Sequence, residues 1–145
     1  MIVGRSDVWF VVEGNPQPKE RPRFARHAYT PSRTRAAEAK IAAIARANGV
    51  RLTTAPISLT VAFYRDSARR CDLDNLLKLV QDALNGIAWV DDEQIMDLAA
   101  SKRLDRDRPR TDIRIEAYPD EVETASPMRE LMNQVKLFPS IRHPK

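Results

Sequence analysis

The sequence has few of the residues on which several common chemistries depend. Its 145 residues include one cysteine, two histidines and four glycines. Cys71 cannot form an internal disulfide, and it shows no zinc-ligand spacing with His27 or His143. There is no Walker loop, GxSxG elbow or dinucleotide-binding glycine motif. The sequence therefore lacks the key residues of P-loop kinases, of hydrolases with a catalytic triad and of Rossmann enzymes.

Long apolar segments are also absent. No run approaches the roughly 20 apolar residues that span a bilayer. Residues 1–7 lack the basic segment followed by an apolar stretch that a secretory signal needs. With 43% hydrophobic and 30% charged residues, the composition indicates one globular domain. We expect a soluble protein of the reducing cytoplasm with no membrane partner.

What the sequence does have is an uneven distribution of charge. The net charge is only +4, but residues 17–51 contain nine lysines and arginines against two acidic residues. Residues 65–103 contain eight acidic and six basic residues. The acids there fall into two groups, Asp72 with Asp74 and Asp91 with Asp92 and Glu93. A basic surface beside carboxylates is typical of metal-dependent enzymes acting on phosphate esters, although ordinary solvated charge gives the same pattern.

Hydrophobic periodicity predicts an α+β fold, with a mixed sheet of about four strands and two main helices packed on it. The predicted order is a strand at 8–12, a proline-containing basic loop at 14–22, a helix at 34–48, a strand at 57–63, a helix at 74–85, a strand or hairpin arm at 94–104 and a strand at 111–118. Residues 119–124 form a predicted linker, and residues 126–135 an amphipathic C-terminal helix that closes the core or meets a partner chain.

The paired acids before the second helix are the strongest candidates for chemistry. Asp74 suits a helix N-cap, and if residues 71–74 are extended, Asp72 and Asp74 project to the same side. Two carboxylates brought to about 4 Å repel by roughly 4 kcal/mol at an effective dielectric of about 20. With a third acid nearby, the arrangement needs a cation or a proton. Oxygen ligands of this kind favour Mg²⁺ or Mn²⁺.

Neighbouring residues have both a functional and a structural interpretation. Lys78 lies one helical turn beyond Asp74 and could hold a scissile phosphate or form a surface ion pair. Asn75 could contact metal or phosphate or assist the helix cap. Asp82, eight residues after Asp74, could approach the same face of the helix and support the site from there. Trp89 is expected in the core, although aromatic residues near nuclease sites can stack on bases.

Residues 71–92, CDLDNLLKLVQDALNGIAWVDD, resemble the RusA family of Holliday junction resolvases of bacteria and their phages. The family pattern is DLDN, a lysine four residues after its second Asp, a short helix and a paired Asp after an apolar stretch. The continuation EQIMDLAASK, the segment GNPQPKERPRF and the YTP at 29–31 are also similar. We expect residues 1–118 to be a RusA-like endonuclease domain, with the linker and C-terminal helix or tail of 119–145 belonging to the same single domain.

The resemblance implies a homodimeric, Mg²⁺-dependent endonuclease, with Mn²⁺ as a possible substitute, that resolves four-way DNA junctions by symmetric paired nicks. It places the catalytic, metal-binding acids at Asp72, Asp74 and Asp92 and the essential lysine at Lys78, with Asp91 as a supporting neighbour. Cys71 stands where a basic residue is frequent in the family, and the C-terminal helix lies outside the shared pattern. These departures leave dimer geometry and junction preference open.

Basic residues around the site are expected to grip DNA phosphates and to carry little sequence information. The expected DNA-binding residues are Lys19, Arg21, Arg23, Arg26, Arg33, Arg35, Arg69, Arg70 and Lys102. His27 follows Arg26 in the basic segment and could contact phosphate or simply be solvated. Two other functions remain open from sequence: a non-catalytic DNA-binding protein with a structural metal site, and a nuclease of flaps or single strands.

Overall fold

Alternating apolar residues produce the four strands of a main sheet and amphipathic segments produce two helices in the computed structural model, which describes residues 6–20, 23–24, 28–29 and 31–118. In chain order the elements are β1 (Ser6–Glu13), β2 (Arg23–Phe24), β3 (Ala28–Tyr29), α1 (Ser32–Ala47), β4 (Ile57–Arg65), α2 (Leu73–Leu84), a 3₁₀ turn (Asp92–Gln94), β5 (Ile95–Leu104) and β6 (Arg110–Ala117). The short β2 and β3 lie between β1 and α1 and pair with each other.

The main sheet has the order β1-β6-β4-β5. β6 runs antiparallel to both of its neighbours, whereas β4 and β5 are parallel. Two parallel strands cannot be joined by a tight hairpin, so the chain returns through α2 to begin β5 at the same edge as β4. As a result Ile57 lies opposite Ile95, and Arg65 lies opposite Leu104.

The core lies between one face of this sheet and the two helices. Every second residue of β4 from Ile57 to Phe63 is buried, which is the strand periodicity of two. Half of α2 is buried through Leu76, Leu77, Leu79, Val80, Ala83 and Leu84. The same cluster includes residues of β1, β6 and α1, so α2 is fixed rigidly across the strands.

The predicted α+β class and the mixed four-stranded sheet are confirmed, but the predicted start of the second helix at Asp74 is wrong. The carbonyl of Asp72 already accepts hydrogen bonds from the amides of Asn75 and Leu76, so Asp72 is the N-cap. Asp74 therefore lies within the first helical turn and not in an extended segment. The segment at 94–104 is a strand parallel to β4 and not a hairpin arm.

Some expectations fall on residues that the structure does not describe. The predicted linker at 119–124 and C-terminal helix at 126–135 lie outside the described residues. Of the helices in the described part of the chain, none combines the length and the apolar character needed to cross a membrane.

The loop at 14–20 is fastened to both helices through Lys19. Its amide donates to the Asn75 carbonyl at 2.9 Å. Its ammonium lies 2.5 Å from Glu38 on α1 and 3.0 Å from Asp82 on α2. Burial by itself lowers the pKa of Lys19, but hydrogen bonds and charge from the two carboxylates outweigh burial and raise it overall.

This arrangement predicts that Lys19→Met destabilises the protein. Because the folded-state pKa of Lys19 is raised, its stabilisation is present below the usual lysine pKa of about 10.4 and is lost as pH rises through the raised value. The half-buried network predicts a loss of about 1 kcal/mol in the free energy of unfolding at neutral pH. Urea denaturation at neutral and strongly alkaline pH measures this. The exposed Arg51→Met is the control; an equal loss for Lys19→Met at both pH values contradicts the assignment.

Candidate active site

Asp72 and Asp74 lie at the exposed N-terminal end of α2. The Asp72 backbone has the extended conformation of an N-cap, but its side chain makes no capping hydrogen bond. Among the described residues no ion pair involves either carboxylate. The partial positive charge of a helix N-terminus stabilises carboxylates there. Both side chains are therefore available to bind a cation.

Lys78 follows Asp74 by four residues and lies on the same face of α2. Its side chain is exposed, and no described carboxylate forms an ion pair with it. The helix-surface ion pair that the sequence allows does not form within the described part of the chain. Asn75 is likewise exposed, whereas Asp82 is paired with Lys19. Lys78 thus presents its charge to solvent beside the two acids.

Asp92 is held by the core of the protein. The indole Nε1 of Trp89 donates to Asp92 Oδ1 at 2.9 Å. Trp89 is fully buried, as its apolar surroundings predict, so the indole is a rigid donor. The sequence predicts the core position but gives no sign of this hydrogen bond. Asp92 is exposed, but one of its carboxylate oxygens is therefore held by a buried donor.

The turn around Asp91 is held by Gln94, a residue that the sequence analysis did not single out. Asp91 and Gln94 form a reciprocal capping box. Gln94 Oε1 accepts from the amides of Val90 and Asp91, and its Nε2 donates to the carbonyls of Thr53 and Ala55 at 2.8 and 3.0 Å. The D-x-x-Q spacing was the available sequence signal. Asp91 has a structural role in this turn.

The two groups of acids lie at opposite ends of α2 in one protomer. Asp72 follows the C-terminal end of β4, whereas Asp92 precedes the N-terminal end of the parallel β5. A helix of 12 residues spans about 18 Å, so Asp72 and Asp92 are separated by roughly 20 Å. Consistent with this, no group of three or more His, Cys, Asp or Glu among the described residues is arranged to hold a metal ion.

Two adjoining basic clefts lie next to the start of α2. The first, here called the Asp72 cleft, has a volume of about 330 Å³ and is lined by Arg69, Arg70, Lys102 and Arg103 as well as Asp72. The second, the loop cleft, has a volume of about 510 Å³ and is lined by Arg33 and Arg69 together with Glu20 and Asp66. Arg65, Ser67 and Arg69 line both clefts.

Four of the expected DNA-binding residues, Arg33, Arg69, Arg70 and Lys102, line these clefts. Lys102 also donates to the carbonyl of Cys71, which fixes the chain directly before Asp72. Lys19 is instead occupied by Glu38 and Asp82. Arg35 is exposed on the first turn of α1, and Arg23 lies on β2. Arg21, Arg26 and His27 lie outside the described residues.

Comparison with known families identifies the family of this chain. The family model described as endodeoxyribonuclease RusA matches residues 13–116, which include both groups of acids and Lys78. The chain belongs to the RusA family. No curated protein matches the sequence. RusA domains are endodeoxyribonucleases that resolve Holliday junctions, so the sequence-based resemblance is confirmed and a DNA-binding protein without catalysis is set aside.

RusA resolvases are generally dependent on a divalent metal, and the residues present fit such an ion. Asp72 and Asp74 supply oxygen donors that neither cap the helix nor pair with a described cation. No described histidine lies near them, and Cys71 is buried. Hard oxygen donors without nitrogen or sulfur are the ligands of Mg²⁺ and Mn²⁺ rather than of zinc.

The Trp89–Asp92 hydrogen bond predicts a specific defect in Trp89→Phe. The smaller aromatic ring keeps most of the core but leaves Asp92 without its donor. We expect a loss of about 2 kcal/mol in stability and about a tenfold loss in nicking rate per folded molecule, with junction binding in EDTA unchanged. Thermal unfolding, nicking and gel-shift assays measure these. Trp9→Phe, at an exposed position on β1, is the control; a wild-type nicking rate in Trp89→Phe contradicts the role.

Proposed function

We propose that the protein resolves Holliday junctions as a homodimer, by symmetric paired nicks that depend on Mg²⁺ held by Asp72, Asp74 and Asp92. The observation that carries this proposal is the exposed pair of carboxylates at the start of α2, which have no described ion-pair partner and lie beside the basic clefts. The family is one of bacteria and their phages, so the proposed setting is the cytoplasm.

The separation of the acids in one protomer supports a site shared between two. Asp92 lies about 20 Å from the pair Asp72 and Asp74, so the three carboxylates of one chain cannot share an ion, which needs its ligands within about 2 Å. In the proposed dimer, Asp72 and Asp74 of one protomer meet the partner subunit's Asp92. A twofold axis then produces two identical sites. Two such sites suit a junction in which two strands must be cut symmetrically.

The chemistry is hydrolysis of a phosphodiester bond. A divalent ion held by Asp72, Asp74 and the partner subunit's Asp92 would supply a Lewis acid for this hydrolysis. Lys78, one turn from Asp74 on the same helix face, stabilises the negative charge that develops on the scissile phosphate. Trp89 keeps the Asp92 carboxylate oriented, and Lys102 holds the backbone before Asp72. Contacts within the protein thus orient Asp92 and the backbone before Asp72.

The cleft cations support binding of the sugar-phosphate backbone. Arg33, Arg69, Arg70 and Lys102 carry positive charge that releases counterions from DNA on binding. Affinity should therefore fall steeply with salt and depend on the junction's shape more than on its sequence. Arg21, Arg23, Arg26 and Arg35 remain proposed contacts, whereas the Lys19 charge is balanced by two carboxylates in this arrangement.

The proposal predicts the outcome of one nuclease assay. With Mg²⁺, the protein should nick a labelled four-way junction at symmetric positions on two opposing strands, and it should leave duplex and flap DNA of the same sequence largely intact. EDTA or Asp72→Asn should abolish nicking but keep junction binding. Asp107→Asn, at an exposed turn, is the matched acidic control. Equal rates on junction, flap and duplex would favour a general nuclease and contradict junction resolution.

A second prediction concerns complementation between two inactive variants. Asp72→Asn and Asp92→Asn should each be inactive as homodimers. When coexpressed with different tags and purified as the mixed dimer, they should form one complete site, containing Asp72 of one protomer and Asp92 of the other, and one doubly defective site. The mixed dimer should therefore nick one strand of a junction. If each site is built within a single chain, the mixed dimer remains inactive, and the shared site is disproved.

A further inference from the structure

Arg65 is a buried cation that the sequence analysis did not single out and the proposed chemistry does not use. It is the last residue of β4 and only 9% of its surface is exposed. Its Nη1 donates to the Arg69 carbonyl at 2.6 Å. Its Nε is completely buried and has no hydrogen-bond partner within the described residues. No described carboxylate forms an ion pair with it.

Such an arrangement is unfavourable in an isolated protein. A buried N–H that leaves water without gaining an acceptor loses a hydrogen bond, and a buried guanidinium without a counterion also loses hydration. Nearly all buried polar groups in native structures have partners. The hydrogen bond to the Arg69 carbonyl satisfies Nη1 of Arg65 and shapes the loop after β4. Arg65 also lines the Asp72 cleft and the loop cleft, so an acceptor in either cleft can reach this incompletely paired guanidinium.

The surroundings indicate that this acceptor is an anion. Arg65 lies on the wall common to the Asp72 cleft and the loop cleft. The cations that line these clefts with it are Arg33, Arg69, Arg70, Lys102 and Arg103, and the carboxylates are Asp72, Glu20 and Asp66. The positive charges exceed the negative ones. A planar guanidinium matches phosphate geometry better than an ammonium does.

We infer that Arg65 binds a backbone phosphate of the DNA strand, next to the scissile phosphate, and so sets the register of that strand against Asp72. The inference rests on the proposed function, since it assigns a second phosphate of the same substrate. The exposed arginines of the clefts can follow a mobile DNA backbone. A guanidinium fixed at the end of a central strand, in contrast, binds a phosphate in one position only. Arg65 is thus a substrate-binding residue that determines which bond is cut.

The test is a scan of single methylphosphonates around the nick site of a four-way junction, with binding measured in EDTA. Removing the charge of the phosphate that Arg65 contacts should weaken wild-type binding about tenfold. Arg65→Gln should bind the unmodified junction about tenfold more weakly, lower the salt slope by about one, and be insensitive to that methylphosphonate. Arg46→Gln, exposed near the end of α1, should keep wild-type sensitivity.

The alternative outcomes separate the possible explanations. If folded Arg65→Gln keeps the wild-type affinity, salt slope and phosphate sensitivity, Arg65 only shapes the loop and the inference is wrong. If Arg65→Gln does not fold, Arg65→Lys takes its place. The lysine variant should keep the salt slope of the wild type but be less sensitive than the wild type to the same methylphosphonate. A wild-type scan with no dominant phosphate near the nick overturns the inference by itself. Nicking of the unmodified junction by the wild type with Mg²⁺ reports separately on the proposed function.

Discussion

The parallel pairing of β4 with β5 is the constraint on which the rest of the structure depends. Because both strands begin at the same edge of the sheet, the chain must cross the full length of the sheet between them, and α2 makes this crossing. A helix of 12 residues, packed on the core along one face, then separates the residues that precede it from those that follow it. In the proposed function the acids of DLDN and the acid at Asp92 therefore form two half-sites, and a metal centre that uses all three takes its ligands from two protomers.

Each half-site is organised by groups other than its own carboxylates. At the start of α2, Lys102 holds the Cys71 carbonyl and buried Arg65 holds the Arg69 carbonyl, so the cationic loop is fixed beside Asp72. At the other end, Trp89 orients Asp92 and Gln94 fastens its turn to the chain before β4. Preorganisation of this kind reduces the rearrangement needed when substrate and metal bind.

The sequence predicts the elements of this fold better than their relations. Alternation along β4 and the three- and four-residue spacing along α2 are local patterns, and both predictions are confirmed. The start of α2 was misplaced because DLD offers two N-cap candidates, and local preference does not separate Asp72 from Asp74. Whether β5 is parallel or a hairpin arm depends on pairing with β4, which a single strand's periodicity does not encode.

Long-range contacts explain the remaining differences at the site. Lys19 looks like a DNA-binding residue in sequence, but its partners are Glu38 and Asp82, which are distant along the chain. Arg65 has no local signal either, because its burial follows from its place at the end of a central strand. The family match covers the acids and Lys78 and so identifies the enzyme class, but it gives no distances between them. Those distances are a property of the tertiary structure.

The central claim is that one metal site takes its carboxylates from two protomers. A crystal structure of the protein with a four-way junction and Ca²⁺ in place of Mg²⁺ tests it most directly. The account predicts an ion within bonding distance of Asp72 and Asp74 of one protomer and of the partner subunit's Asp92, at both twofold-related positions. An ion bound by Asp72, Asp74 and Asp92 of the same chain, or one far from every copy of Asp92, would contradict it.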